Sequence, residues 1–172
     1  KAQLMQHHLS DEEDLTIDWI ISDALERNEK LLVLTIAEHG VEGYVGSAMQ
    51  QYFIENYLSS LNPADTGLLL VHAINPWGMK HRYRVNPNNV DLNRNFLYEE
   101  NFDLDFNPDY SQYNKLLNPT TPVSGLARAN LSFYAHVPRH MLGKGYPAFK
   151  HAILLGQYRY PKGLFYGGEG YQ

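Results

Sequence analysis

The chain has 172 residues, of which 44% are hydrophobic and 19% are charged, and its formal net charge is −5. This composition is typical of a folded domain with a sizeable core and excludes a disordered chain. The 14 Lys and Arg residues are scattered, which argues against a nucleic-acid partner because phosphate binding needs clustered positive charge.

The sequence also lacks the marks of a membrane or disulfide-stabilised protein. No window approaches the roughly 18 consecutive apolar residues of a membrane span, and no basic and apolar leader precedes Lys1. Cysteine is absent, which excludes disulfides and thiolate metal sites and fits a reducing compartment. We therefore expect a soluble, cytoplasmic protein with no membrane partner, although its start at Lys1 rather than Met leaves the natural N-terminus open.

Three strands are predicted in the first part of the chain. Residues 3–6 form a short edge strand, and residues 15–21 alternate apolar and polar side chains, as a strand with one buried face does. Residues 31–36 are apolar on both faces. Such a run is typical of a central strand that lies between layers of helices.

The third strand is followed closely by His39 and Glu42, and each of these residues directly precedes a glycine, Gly40 and Gly43. An imidazole and a carboxylate three residues apart, on a turn that leaves a strand, can converge on one cation, and this ligand type suits zinc. The glycines allow a tight bend there. Taken alone the spacing is weak, since a capping His and a solvated Glu give the same pattern.

A helix and a further strand follow this turn. Apolar residues recur at helical spacing over residues 44–61, and Asn62-Pro63 stops the pattern. Residues 68–74 form a second buried run. Strand, helix and strand in succession predict a right-handed crossover between parallel strands, with both strand ends at one edge of the sheet.

Beyond Gly78 the chain is basic and then rich in Asn and Arg, up to Phe96. Arg offers a bidentate fork to a carboxylate and Asn adds a donor, so this loop predicts an anion site. Asp91 with Arg94 also fits a structural salt bridge.

The remaining sequence predicts fewer elements. Residues 97–123 are a long irregular stretch, which we expect to be a surface or lid loop. A helix opens at Ser124 or Gly125 and breaks near Pro138, a second helix covers residues 147–157, and residues 158–172 form a loop rich in Gly and Tyr. We found no repeat or linker, so residues 1–172 are predicted to be a single domain.

Three stretches of the sequence resemble the signatures of one family. His39-Gly40-Val41-Glu42, Asn75-Pro76-Trp77-Gly78 and Asp91-Leu92-Asn93-Arg94 are similar, in order, to the His-x-x-Glu, Asn-Pro-Asp-Gly and Asp-x-Asn-Arg signatures of the zinc carboxypeptidases. The resemblance is closer to an uncharacterised bacterial branch of that superfamily, which carries a Gly-Gln-Tyr-x-x-Pro-x-Gly-Leu-Phe-Tyr-Gly-Gly segment like residues 156–168. Trp77 departs from the usual Asp.

The resemblance implies a fold and a set of roles. The fold is α/β, with a mixed, mostly parallel central sheet and helices on both faces, the phosphorylase/hydrolase-like architecture of zinc peptidases. His39 and Glu42 are implied to be zinc ligands, and Asn93 and Arg94 to bind the substrate carboxylate. Arg84 is implied to polarise the scissile carbonyl, with Arg82 as the substitute.

Two of the family's groups have no match in the sequence: the third zinc ligand, a His, and the general-base Glu. His136, His140 and His151 fall on predicted helices and are read as structural residues, and Glu169 lies in the terminal loop. In the resembling branch the missing His follows the Gly-rich segment. We therefore expect this chain to be the front part of a longer catalytic domain, and a two-ligand zinc site to be weak and inactive by itself.

Three functions are consistent with these residues. The first is a zinc metallocarboxypeptidase that removes the C-terminal amino acid of a peptide. The second is an aspartoacylase-like deacylase of N-acyl amino acids, which uses the same ligands and the same Arg and Asn. The third is a non-catalytic carboxylate-binding module. In each case the partner is a small molecule or peptide with a free carboxylate.

Overall fold

The computed structural model describes residues 2–97, 102–120 and 125–172. The chain divides into two compact units, Lys1–Pro87 and Asn88–Gln172. The first unit is a sheet with two helices, and the second is mainly helical. Whether the chain functions as one zinc carboxypeptidase-like domain stays a prediction.

The first unit contains a four-stranded sheet in its described residues, with the strand order β1-β2-β4-β3. β1 pairs with β2, and β2 with β4, antiparallel, whereas β3 and β4 are parallel. The elements are β1 (Gln3–Ser10), β2 (Leu15–Ser22), β3 (Lys30–Thr35), α1 (Gly43–Asn56), a 3₁₀ turn (Leu58–Ser60), β4 (Thr66–His72) and α2 (Pro76–His81).

The prediction of an α/β fold with a mixed sheet is confirmed, but the prediction that the sheet is mostly parallel is wrong for the described strands. β1 and β2 are joined by a short acidic turn, and a connection of that length allows only antiparallel pairing. The parallel pair is confined to β3 and β4, which α1 connects as the crossover pattern predicted.

β3 was predicted to be central and is instead an edge strand in the sheet that the described residues form. Leu31 and Val33 are 59% and 46% exposed, whereas Leu70 on the neighbouring β4 is only 5% exposed. The interior positions of the sheet belong to β2 and β4, which each have a partner on both sides. An apolar run on both faces therefore did not identify the strand that is buried.

The second unit is built from a 3₁₀ turn (Leu92–Arg94), α3 (Tyr110–Leu117) and α4 (Leu126–Leu154). The rings of Tyr113 and Phe149 pack edge to face at 4.9 Å between α3 and α4, beside the fully buried Ala152. The buried amide of Asn107 donates to the carbonyl oxygens of Ala152 and Gly156, at 2.6 and 2.7 Å. These contacts fix the start of α3 against the end of α4.

Several predictions for the second unit need correction. The irregular stretch 97–123 contains α3, and its residues 98–101 and 121–123 lie outside the described residues, as does Ser124. α4 runs through Pro138 and is interrupted at Gly145, whose φ of 79° and ψ of 170° are not helical. Glycine adopts a positive φ readily, so the break lies there, and the helix beyond it ends at Leu154 rather than at residue 157.

Other predictions for this unit are confirmed. α4 begins directly after Gly125, and His136, His140 and His151 lie on it.

Among the described residues of the whole chain, no helix is both long and apolar enough to cross a lipid bilayer.

The start of β4 is fixed by the carboxylate of Asp65. It accepts a hydrogen bond from the Thr66 hydroxyl at 2.6 Å and one from Lys30 Nζ at 2.9 Å. These contacts hold the pKa of Asp65 below its ordinary value, and the hydrogen bond from Thr66 has the largest effect. The folded chain therefore favours the ionised carboxylate more than the unfolded chain does.

This difference predicts how stability depends on pH. A carboxyl with a lowered folded pKa stabilises the fold above its unfolded pKa, and this contribution is lost as the pH falls through the folded pKa. With an unfolded pKa of about 3.9, the contribution of Asp65 is present at pH 7 and declines below about pH 4. In urea titrations, wild type is expected to be more stable than Asp65→Asn at pH 7, with the gap closing at pH 3. A gap of equal size at both pH values would contradict the assignment.

Candidate functional site

The loop that carries His39 and Glu42 leaves a well-anchored end of the sheet. Beyond β3, the carbonyls of Ile36 and Ala37 accept hydrogen bonds from the backbone N–H groups of Ile74 and Asn75, at 3.0 and 2.8 Å. Ile36 and Ala37 are buried with Ala73 in a small core. The two chain segments that follow β3 and β4 therefore stay side by side up to the loop.

Gly40 fixes the path of this loop by contact with another glycine. A Cβ at Gly40 would overlap the carbonyl carbon of Gly78 and the backbone nitrogen of Met79, both in α2. The backbone N–H groups of Gly40 and Val41 donate to the carbonyl oxygens of Arg84 and Tyr83, at 3.3 and 3.0 Å. The loop after β3 is thus held against α2 and the segment behind it.

His39 and Glu42 converge at this position. His39 Nδ1 lies 3.6 Å from Glu42 Oε1, with the imidazole 16% and the carboxylate 55% exposed. Two donors on one tetrahedral zinc ion, each at a bond length of about 2.0–2.1 Å, lie about 3.3 Å apart. The observed separation is close to that value, so the pair fits a zinc ion as two of its ligands. An ion pair of a protonated His39 with Glu42 has the same geometry.

Arg84 is the third side chain at this place. Its Nη1 lies 3.4 Å from Glu42 Oε1, and the backbone contact with Gly40 positions it beside the loop. The structure therefore brings His39, Glu42 and Arg84 together. Arg82 ends α2 in a left-handed conformation, with an exposed side chain, and within the described part of the chain it makes no hydrogen bond or ion pair with His39 or Glu42.

Asn75, for which no role was predicted, organises the region behind these side chains. Asn75 is 2% exposed; its Oδ1 accepts from the backbone N–H of Gly78 at 2.8 Å, and its Nδ2 donates to the Arg84 carbonyl at 3.5 Å. It caps α2, with Pro76 at the first helical position. Asn followed by Pro is a recognised helix start, so this role was readable from sequence.

Asn93 and Arg94 belong to the second unit, where they form the end of the 3₁₀ turn Leu92–Arg94. The fully buried Asp91 caps this turn by accepting from the Asn93 backbone N–H at 3.1 Å. The side chains of Asp91 and Arg94 make no ion pair with each other in the described residues, so the salt-bridge alternative is wrong. Asn93 is exposed at the surface of the turn.

Arg94 is half-buried and is held by neutral groups. Its Nη1 donates to the Asn93 carbonyl at 3.1 Å and its Nη2 to the Leu154 carbonyl at 3.0 Å, while the buried Nε has no hydrogen-bond partner. The guanidinium lies over the ring of Phe165, 5.9 Å from its centroid. Within the described residues no carboxylate pairs with it. A guanidinium with unused N–H groups and no paired acid is suited to an anion.

Tyr158 supports the backbone of Arg94. Its hydroxyl donates to the Arg94 carbonyl oxygen at 2.8 Å. Burial raises the pKa of this hydroxyl, although the neighbouring Arg94 acts in the opposite direction. At neutral pH the hydroxyl is therefore protonated and available as a donor.

No third metal ligand joins His39 and Glu42 in the described ranges, where no group of three or more His, Cys, Asp or Glu side chains is placed to hold one ion. His151 and Glu169 lie in the second unit, on α4 and in the loop that follows it. The predicted site thus has two parts. The first unit holds the metal-type pair, which is His39 and Glu42, together with Arg84, and the second unit holds Arg94, the residue predicted to bind a carboxylate.

The chain belongs to the family described as "Protein of unknown function (DUF2817)", whose model matches residues 1–172. No curated protein matches the chain, and no solved structure does.

The glycine contact predicts a large effect from a small substitution. Gly40→Ala forces the loop away from α2, because the added methyl group meets backbone atoms that cannot rotate aside. We expect the free energy of unfolding to fall by about 1–3 kcal/mol, the range of overpacked sites. Urea titration measures it. Gly170→Ala is the matched control, because a Cβ there meets nothing within 4 Å; equal stability of the two variants would contradict the contact.

Proposed function

We propose that this member of the DUF2817 family is a zinc-dependent hydrolase that releases the C-terminal amino acid of a peptide. The observation that carries the proposal is the approach of His39 Nδ1 to Glu42 Oε1 at 3.6 Å, with Arg84 Nη1 at 3.4 Å from the same carboxylate oxygen. The resemblance to zinc carboxypeptidases in three ordered stretches, of which His39–Glu42 is the first, also supports it.

The proposed chemistry assigns one task to each group. Zinc, when bound by His39 and Glu42, supplies a bound water of lowered pKa and a Lewis acid. Arg84 stabilises negative charge that develops on the oxygen of the attacked carbonyl, as preorganised donors do. Arg94, with Asn93, binds the carboxylate at the end of the substrate.

A complete site needs a further zinc ligand and a general base. In the resembling enzymes the missing His follows a segment like residues 156–168, so we propose that both groups come from outside the described residues. The complete architecture, with helices on both faces of the sheet, is part of the same proposal.

A second candidate is a carboxylate-binding module without metal chemistry. The surroundings of Arg94 favour it, because its half-buried charge meets only neutral groups whether or not His39 and Glu42 bind zinc. The deacylase alternative uses the same groups as the peptidase. Release of an amino acid from peptides by the zinc-loaded protein would indicate the peptidase and release from N-acyl amino acids the deacylase, whereas carboxylate binding by a chain that does not bind zinc would indicate the module.

Zinc affinity tests the metal pair. Loss of a group that merely supports a ligand weakens metal binding about 10-fold to 100-fold, so we expect His39→Ala and Glu42→Ala to lose at least as much. The measurement is competition of the metal-free protein with a chromophoric chelator for zinc. His151→Ala, which removes an exposed imidazole on α4, is expected to bind as wild type does. Equal affinity of all four proteins would contradict the site.

Carboxylate recognition tests Arg94 separately. N-benzoylglycine and its carboxamide differ in the carboxylate alone, and calorimetry gives both affinities. Charge-assisted hydrogen bonds are expected to favour the acid about 10-fold to 100-fold in wild type, and Arg94→Gln to remove the preference. Arg159→Gln is the control, because Arg159 already pairs with Asp105. The same preference in Arg94→Gln as in wild type would exclude Arg94 as the carboxylate site.

A further inference from the structure

Phe165 has a backbone conformation that is unfavourable for an aromatic residue. Its φ is +56°, in the left-handed region, where a bulky side chain meets its own backbone and glycine is favoured. Residues persist there only when their surroundings hold them, and such residues cluster at ligand clamps and active sites. The conformation therefore points to a function for the side chain that it presents.

Hydrogen bonds hold the backbone on both sides of Phe165. Its carbonyl accepts from the Gln157 backbone N–H at 3.1 Å, and the Gly167 N–H donates to the Gln157 carbonyl at 2.9 Å. On the other side, the Leu164 carbonyl accepts from the Tyr110 hydroxyl at 3.0 Å. The loop is thus fixed to Gln157 on one side and to Tyr110, which is distant in sequence, on the other, and the left-handed residue lies between these contacts.

The ring that this loop presents lies against Arg94. The guanidinium carbon is 5.9 Å from the ring centroid, within the range of a cation–π interaction. The same segment supplies the other walls: the Leu154 carbonyl accepts from Nη2, and a Cβ at Gly156 would lie 2.6 Å from Arg94 Cδ. Gly156 therefore leaves the room that the arginine side chain occupies.

The chemistry of these walls is selective. An aspartate or glutamate in the place of Phe165 would orient the guanidinium equally well, but would also neutralise it. An aromatic face and two carbonyl oxygens restrict the orientation of the guanidinium and carry no formal negative charge. The charge of Arg94 thereby stays available to an incoming anion.

We propose that Phe165 is a positioning residue for Arg94: its ring holds the guanidinium in the orientation in which it receives the substrate carboxylate. The identity of the ligand rests on the proposed function, whereas the positioning itself is measurable without a ligand. Residues 154–167 then surround the guanidinium of the carboxylate site. The left-handed backbone of Phe165 turns its ring toward Arg94.

The experiment compares Phe165→Leu, Phe165→Gly and Phe165→Tyr with wild type in the full chain. The glycine variant removes the ring and relaxes the backbone, so it separates the ring from the strained φ. The tyrosine variant keeps the ring. Phe133→Leu is the control, since Phe133 is a partly exposed aromatic residue of the same unit whose ring lies against Tyr134.

Two measurements are made on each protein. The ¹H–¹⁵N heteronuclear NOE of the Arg94 Nε–H, identified by its loss in Arg94→Gln, reports the order of the guanidinium. The ratio of affinities for N-benzoylglycine and its carboxamide reports carboxylate recognition. We expect the leucine and glycine variants to lower the NOE and to reduce the ratio about threefold to tenfold, whereas Phe165→Tyr and Phe133→Leu keep wild-type values.

Each result has a definite meaning. An unchanged NOE in Phe165→Leu and Phe165→Gly overturns the proposal, and so does a lowered NOE with an unchanged affinity ratio when wild type prefers the acid. If wild type does not distinguish acid from amide, the proposed carboxylate site fails. The NOE then decides alone whether Phe165 positions Arg94.

Discussion

The backbones of Gly40 and Gly78 touch, and the arrangement of the metal-type side chains depends on that contact. His39 and Glu42 flank Gly40 on a loop after β3, whereas Gly78 lies in α2 after β4. Parallel strands bring the two segments to the same edge of the sheet, but they can meet only because residue 40 has no Cβ. The hydrogen bonds from Gly40 and Val41 to Arg84 and Tyr83 then bring the arginine beside Glu42.

The metal-type pair was predictable because its information is local. His39 and Glu42 are three residues apart on a turn between a strand and a helix, so their proximity follows from their spacing, whereas the path of the loop depends on the distant contact of Gly40 with Gly78. α1 was predicted for the same reason, since its periodicity lies within one segment. The exposure of β3 was not predicted, because the burial of a strand depends on its neighbours in the sheet. An apolar run carries no information about which strands those neighbours are.

Arg94 illustrates the opposite case. Its residue type and its neighbour Asn93 predicted an anion site, but nothing near it in the sequence indicated how the guanidinium is held. Its partners are the carbonyl of Leu154, 60 residues away, and the ring of Phe165. The Gly-rich segment was recognisable as a motif, yet the left-handed Phe165 inside it was not, because an aromatic residue at a positive φ contradicts local preference. Such a conformation is visible only in a folded structure.

The exposed edge strand has a consequence for the loop that follows it. One edge of β3 carries backbone groups that no strand pairs with in the described sheet, and the side chains of Leu31 and Val33 are exposed on one face of the strand. An edge of this kind is a template for another extended chain. The extended backbone of this strand ends before Ala37, whose φ is +59°, so a strand added along β3 would reach the start of the loop that carries His39 but would not continue into it. An added strand and the loop that carries the proposed zinc ligands would thus meet at the same end of β3.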